Sequence, residues 1–364
     1  MKILALLAAL VLPILSSVSS WAADAEEFLA TLGKLSPAAR QEKLLEGAKK
    51  EGEVMLYSSS GLEEVRALTT LFQKKYPFVK IHFMRKGGSQ LFNVSVLEHK
   101  GGKHIADAYW AGTSTVGPMY KTERSMLAKY LSPERSAVGD EYKDKDGYWT
   151  ATRTSVAIFA YHSKKVPADK VPRVYNDLLD PYWKGQLSID TNPDRSPYLL
   201  SERIGWKATE EYLKKLAQQD LRLHRGRSAR LQLILSGEVL AGLDINADNI
   251  VALQKENAPL DYAIMNPSLL SLTALAMPKK VPHPHAAVLL YDFIISKEGQ
   301  AELAKEDNIP VRADVEIVAK SLAQRFKEGH AQKKFVVQSP GTFDAVEEDK
   351  FDRAYINILV KKNK

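Results

Sequence analysis

The chain has 364 residues, is 45% hydrophobic and 26% charged, and carries a formal net charge of +7. That length accommodates two domains with substantial cores, and the composition is that of an ordinary globular protein. It contains no cysteine, which excludes disulfides, thiolate metal centres and cysteine nucleophiles. The positive charge is spread along the chain without a basic block or interleaved aromatics, so nucleic acid is not an expected partner.

The first 22 residues read as a separate unit. Lys2 supplies a positive start, Ile3–Leu15 is an apolar run, and small residues lead to Ser20-Trp21-Ala22-Ala23. This is the pattern of an export signal cleaved after Ala22 or Ala23. The run is short for a bilayer span, and Pro13 interrupts it. The expected location is the periplasm. Removing the signal takes away only Lys2 and lowers the charge from +7 to +6.

From Ala23 to about Lys50 a leader rich in Ala, Glu, Leu and Lys predicts a helix ending near Gly52. Val54–Tyr57 reads as a short buried strand running into Ser58-Ser59-Ser60-Gly61. Leu62, Val65, Leu68, Leu71 and Phe72 then recur at helical spacing, and Ser60 with Glu63 fits a capping box. Val79, Ile81 and Phe83 alternate as a second strand. The turn Arg85-Lys86-Gly87-Gly88 follows, with Ser89 as N-cap of a helix through Leu91, Val94 and Leu97. Ala106–Trp110 is a third strand that meets Ala111–Thr115 before a helix over about 116–123. This alternation predicts a parallel sheet whose strand ends face one crevice.

Gly147-Tyr148-Trp149 opens a second region. Val156–Tyr161 is an apolar strand, and Leu187–Asp190 is another that ends in the polar loop Thr191–Ser196. A helix over 206–218 follows. Arg225-Gly226-Arg227-Ser228 precedes a helix containing Leu231 and Ile234. Val239–Leu243 is a strand that stops at Asp244–Asp248. Leu260–Met265 and Leu269–Met277 read as returning strands. Ala286–Ser296 is an amphipathic helix continued by Gly299–Lys305. Beyond Arg312 the pattern weakens; Phe335-Val336-Val337 and a helix near Phe351–Val360 are expected on the surface of a lobe.

Several stretches in combination resemble the extracellular solute-binding proteins of ABC importers, in the ferric-iron-type cluster. They are Leu56–Ser59, ALTTLFQKKYPFVKI from Ala67, Ala106-Asp107-Ala108, TRTSVAIFAYHS from Thr152, DLLDPYWKGQLSI from Asp177, Ser236–Val239, and HPHAAVLLYDFIISKEGQ from His283. The resemblance implies an α/β, two-lobed type II periplasmic-binding fold, each lobe a mainly parallel sheet flanked by helices. Lobe 1 would hold residues 23–154 and 265–364, and lobe 2 residues 155–264. Crossing strands near 155–162 and 261–277 would form a hinge that closes on a ligand. Iron-binding members carry adjacent tyrosines after a Gly-Glu segment. Here Gly237-Glu238-Val239 is followed by Gly242–Asp248, with no tyrosine between Tyr212 and Tyr262, which departs from phenolate ligation of iron.

The candidate ligand shell lies at the strand ends. In the first lobe it comprises Ser58, Ser59 and Ser60, then Arg85 and Ser89, then Trp110 as a stacking platform with Thr113 and Ser114. Arg153 precedes the first crossing strand, as a bidentate clamp for carboxylate or phosphate or as one half of an interlobe salt bridge. In the second lobe the candidates are Asp190 and Asn192, then Arg225, Gly226 and Arg227 before a helix start, then Asp244, Asn246 and Asp248. The last three resemble the start of a calcium loop, but Asn249 and Lys255 stand where glycine and glutamate are required. No catalytic residue, cofactor or metal site is assigned. The expected function is capture of a small anionic or polyoxygenated solute, such as an organic phosphate, phosphonate or carboxylate, by a monomer that delivers it to an ABC permease. Ferric-iron binding is the alternative. An exported enzyme or a ligand-presenting sensor are the alternatives from other classes.

Overall fold

A computed structural model describes residues 23–361; the expected export signal, residues 1–22, lies outside the described residues. Strand β1 (Ala23–Asp24) and helix α1 (Ala25–Leu32) lead to α2 (Pro37–Glu51). Ser36 caps α2, Pro37 occupies its first turn, and Gly52 ends it at a φ of 72°, a left-handed conformation that glycine adopts without strain. β2 (Glu53–Ser58), α3 (Leu62–Lys75), β3 (Lys80–Arg85), α4 (Gly88–Lys100), β4 (Ala108–Gly112) and α5 (Thr113–Lys121) then alternate as predicted. β2 pairs in parallel with β3 and β4. Val54 and Leu56 are fully buried, and α3 lays Val65, Leu68 and Phe72 into the same core.

β5 (Leu127–Ala128) and the long strand β6 (Thr150–His162) follow. The second region contains β7 (Leu187–Asp190), α6 (Leu199–Ile204), α7 (Trp206–Leu216), β8 (Arg222–His224), α8 (Arg227–Ser236), β9 (Ala241–Asn246), α9 (Ala247–Lys255) and β10 (Leu260–Ala263). The chain returns through β11 (Ser268–Pro278), β12 (Lys280–Val281), α10 (Pro284–Ile295), α11 (Lys297–Lys305) and β13 (Ile309–Pro310). It ends with α12 (Lys320–Ala331), β14 (Phe335–Gln338) and α13 (Ala345–Tyr355).

β6 links the two lobes because it changes partners along its length. Through Val156 it runs antiparallel to β11; from Ala157 it runs antiparallel to β9 and, from Phe159, to β10. The main path of the sheet is β3-β2-β4-β11-β6-β9-β7-β8. β7 pairs in parallel with β8 and β9, so each lobe has its own parallel set. The return crossing lies between Ala263 of β10 and Ser268 of β11. β14 pairs in parallel with the first residues of β11, which places three interlobe connections on neighbouring strands.

The structure departs from the sequence reading at several element ends. The cap of α3 is Gly61, not Ser60, and the cap of α4 is Gly87, not Ser89. The helix from Ala286 does not continue to Lys305: Ser296 adopts extended backbone, ends α10, and caps α11 by accepting from the Gly299 N–H. The last helix does not belong with lobe 1. Phe351 and Tyr355, both fully buried, share a core with Phe159, Leu213 and Leu243. Residues four apart on one helix face thereby anchor the C-terminus in lobe 2.

One staple in lobe 1 gives a pH prediction. His283 starts α10, and its Nδ1 lies 2.8 Å from Oδ2 of the fully buried Asp107. Asp107 also accepts the backbone N–H groups of Met55 and His283 at 2.7 and 2.8 Å. The hydrogen bond to Asp107 raises the His283 imidazole above its ordinary 6.5. A raised histidine contributes stability that is fully present below the unfolded value and is lost as pH rises through the folded one. The thermal midpoint should therefore fall as pH rises from 6.5 through the folded pKa. His283→Gln should flatten that part of the profile; an unaltered profile would assign it to other groups.

Candidate ligand-binding site

Five helices open off the carboxyl ends of strands in the main sheet path: α3, α4, α5, α8 and α9. The residues that start them are Gly61, Gly87, Gly112, Gly226 and Asn246, and none supplies a side-chain cap. Helices α6, α7, α10 and α12 also lack a side-chain cap, while α1, α2, α11 and α13 are capped by Asp24, Ser36, Ser296 and Asp344. A helix N-terminus without a side-chain cap presents backbone N–H groups and a positive dipole end to whatever lies in front of it.

A cavity of about 300 Å³ lies between the lobes at these strand ends. Lobe 1 lines it with Gly112, Thr113 and Ser114 at the start of α5, with Arg153 and Ser155 of β6, and with Leu269, Ser271, Leu272 and Thr273 of β11. Lobe 2 contributes Arg195, Arg227, Asp244 and Asn246, and the C-terminal segment adds Gln338 and Glu348. Larger grooves of about 720 and 770 Å³ lie beside Trp183 and beside Leu29 and Leu131, away from these strand ends.

The charged groups of the cavity are held by neighbours. The Arg153 guanidinium engages Glu64 of α3 through two nitrogens, the second at 3.2 Å, and donates to the Ser155 hydroxyl at 2.8 Å. Asp248, at the start of α9, sits within electrostatic reach of Arg153 and Arg227. Burial raises its carboxyl, and the two arginines oppose that rise. Arg195 is bidentate to Asp352 of α13 at 2.7 and 3.3 Å, and lies 3.3 Å from Glu348. Arg227 donates from Nε to the Asp244 carbonyl at 3.1 Å.

Beneath the lobe 2 wall is a buried polar network. Asp244 has a φ of 52°, an uncommon left-handed conformation for a side chain other than glycine. Its carboxylate accepts the Arg195 N–H at 2.6 Å and the Ser196 hydroxyl at 2.8 Å, which fixes the loop after β7. Arg230 is 1% exposed, donates to the Leu243 carbonyl at 2.6 Å, and lies 3.4–3.5 Å from Asp190 and Asp194. Burial pushes the Asp194 carboxyl up to about 8, against the pull of Arg230. The Tyr355 hydroxyl donates to the Asp190 carbonyl at 2.9 Å, which ties the C-terminal helix to the same loop.

Residues 121–334, more than half of the chain, match the family profile described as bacterial extracellular solute-binding protein. The chain belongs to that family. Among its relatives is an Fe(3+)-binding periplasmic protein of Serratia marcescens, 22% identical over 221 residues, 59% of this chain and 64% of that relative, a little under two thirds of its length. Solved structures similar to this solute-binding protein include iron-bound HitA from Pseudomonas aeruginosa, with a TM-score of 0.72 at 21% identity, covering 83% of this chain and 98% of that one. The AfuA protein of Actinobacillus pleuropneumoniae with fructose-6-phosphate bound gives 0.65 at 19%, covering 85% and 99%. Both support the two-lobed fold. No helix of the described residues is long and apolar enough to cross a membrane.

The solute-binding protein brings six of the expected site residues to the cavity wall: Thr113, Ser114, Arg153, Arg227, Asp244 and Asn246. Asp248 stands behind them. The serine triplet instead braces the sheet. Ser58 donates to the Trp110 carbonyl at 2.9 Å, Ser59 accepts the Gly112 N–H at 3.1 Å, and the Ser60 carbonyl accepts from Arg85 Nε at 2.6 Å. The Ser60 hydroxyl is buried and has no hydrogen-bond partner. Trp110 is fully buried and donates its indole N–H to Thr152 at 2.8 Å, so it cannot stack on a solute. Asp190 accepts the Asn192 and Gly226 N–H groups, both at 2.9 Å, and so shapes two loops. Gly226 makes that contact at a φ of 88°. Ser89, Asn192 and Arg225 are exposed outside the cavity lining.

Arg195, Ser155, Ser271, Gln338 and Glu348 line the cavity without having been expected. The Arg153 partner is Glu64 of the same lobe, not a residue of the other lobe. Glu64, Leu68 and Phe72 recur every four residues, so a carboxylate stands in the apolar stripe of α3, a sequence signal of a buried cation partner. Arg230, four residues before the buried Ile234, is the same signal in α8.

Proposed function

We propose that this protein captures a small anionic or polyoxygenated solute in the periplasm, by closure of its two lobes, and delivers it to an ABC permease. The observation that carries this reading is the convergence on one interlobe cavity of the uncapped α5 start, the Arg153 and Arg227 guanidiniums, and the hydroxyls of Thr113, Ser114, Ser155 and Ser271. Such donors match ligand oxygens. The relatives described above bind iron or fructose-6-phosphate. No tyrosine, histidine or cysteine occurs in the described lining, which favours an oxygen-rich solute over a metal held by soft or phenolate ligands.

A thermal-shift panel of phosphate esters, phosphonates, carboxylates and ferric iron tests the reading. A solute present at 100 times its Kd should stabilise the protein by about 2.7 kcal/mol. A response to ferric iron together with a visible charge-transfer band, and none to any organic anion, would replace solute capture by iron binding. Conversion of the bound solute would replace transport by catalysis.

A further inference from the structure

The charge balance around the cavity narrows the solute class, resting on the solute-capture reading above. Three guanidiniums line the cavity: Arg153, Arg195 and Arg227. Glu64 engages the first, and Asp352 with Glu348 the second. Among the described residues Arg227 is the cavity arginine without a carboxylate ion pair. Its Nε is used by the Asp244 carbonyl, its side chain lines the cavity, and Asp248 lies within its electrostatic reach.

The lining sets two carboxylates, Asp244 and Glu348, against these three cations, and further carboxylates stand behind it. Glu64, Asp244, Asp248, Glu348 and Asp352 stand on or directly behind the wall, and Asp248 has no ion pair among the described residues. One incoming negative charge finds Arg227. A second meets like charge in a partly desolvated space, where repulsion is weakly screened. The cavity offers hydroxyl partners in quantity, through Thr113, Ser114, Ser155, Ser271 and Asn246. A volume of about 300 Å³ holds about ten water-sized groups, taking about 30 Å³ for each.

We infer that the solute is a hydroxyl-rich organic acid carrying a single negative charge, with Arg227 holding the acid group and Glu348 helping to reject a second one. Calorimetric titration with two matched pairs, D-gluconate against 6-phospho-D-gluconate and D-glycerate against 3-phospho-D-glycerate, tests this. The unphosphorylated member of a pair should bind at least about tenfold more tightly. Arg227→Gln, at an exposed position, should weaken that member at least about tenfold, and Arg227→Lys, which keeps the charge, should weaken it less. Glu348→Gln should narrow the gap within the pair. Tighter binding of the phosphorylated members overturns the single-charge inference and leaves the anionic-solute reading standing. Absence of binding by both unphosphorylated acids also overturns it. If ferric citrate alone binds, the solute-capture reading falls as well.

Discussion

Replacing Arg153 by methionine is expected to cost about 3–5 kcal/mol of folding stability and to weaken solute binding by about two orders of magnitude. The side chains of Arg153 and Glu64 are 15% and 8% exposed. Removing the guanidinium strands the Glu64 carboxylate in a site with little water to solvate it. The same change withdraws a cation from Asp248 across the cleft, so the two lobe faces repel more strongly as they close. A second substitution separates folding from binding. In the double variant Arg153→Met, Glu64→Gln the stranded charge is gone, and most of the stability should return. Binding should not return, because the cation that opposes Asp248 across the cleft is still missing. Urea unfolding and calorimetric titration on the two variants check this. Recovery of both properties in the double variant would reduce Arg153 to a structural residue.

Arg230→Met is expected to destabilise by a similar amount, about 3–5 kcal/mol, and its cost should depend on pH. Arg230 is 1% exposed and stands between the carboxylates of Asp190 and Asp194. Burial already raises Asp194 to about 8, and Arg230 is the group that holds it down. The sign follows from linkage. An acid whose folded pKa is raised above its unfolded value of 3.8 favours folding when protonated, so its contribution is present at low pH and declines as pH rises towards the folded value. Without Arg230 that value climbs further, and the decline extends to higher pH. Urea midpoints of variant and native protein should therefore lie closer together at pH about 5 than at pH about 8.5. An equal gap at both pH values would refute the charge explanation. The loop carrying Arg195 and Ser196 rests on this network, so the variant should also bind solute less tightly at the higher pH.

The first lobe was legible because its information is local. Alternating apolar residues at Val79, Ile81 and Phe83 and the helical spacing from Leu62 to Phe72 specify elements from neighbours in sequence. Element ends were read less well, because serine chemistry near a helix start has two uses. Ser60 looks like a cap, yet its carbonyl is taken by Arg85 and the helix begins one residue later at Gly61. The candidate site divides along the same line. Helix starts and strand-end loops at Thr113, Arg227 and Asn246 follow from the β/α alternation. Arg195, Gln338 and Glu348 reach the cavity through pairings more than a hundred residues apart, such as Arg195 with Glu348 and Asp352. Spacing in one chain does not encode those contacts. Trp110 was misplaced because an aromatic at a strand end fits a platform and a core equally well. Its burial and its bond to Thr152 decide for the core.

The three crossings between lobes lie on β6, at the start of β11 and beyond β14, and these strands are immediate neighbours in the sheet. Neighbouring strands are spaced by about 4.8 Å, so the connection is a strip about 10 Å wide. On the solute-capture reading, lobe closure is a bending of this strip across its width, and we expect Arg153, on β6, and Arg227, at the start of α8, to approach and part as it bends.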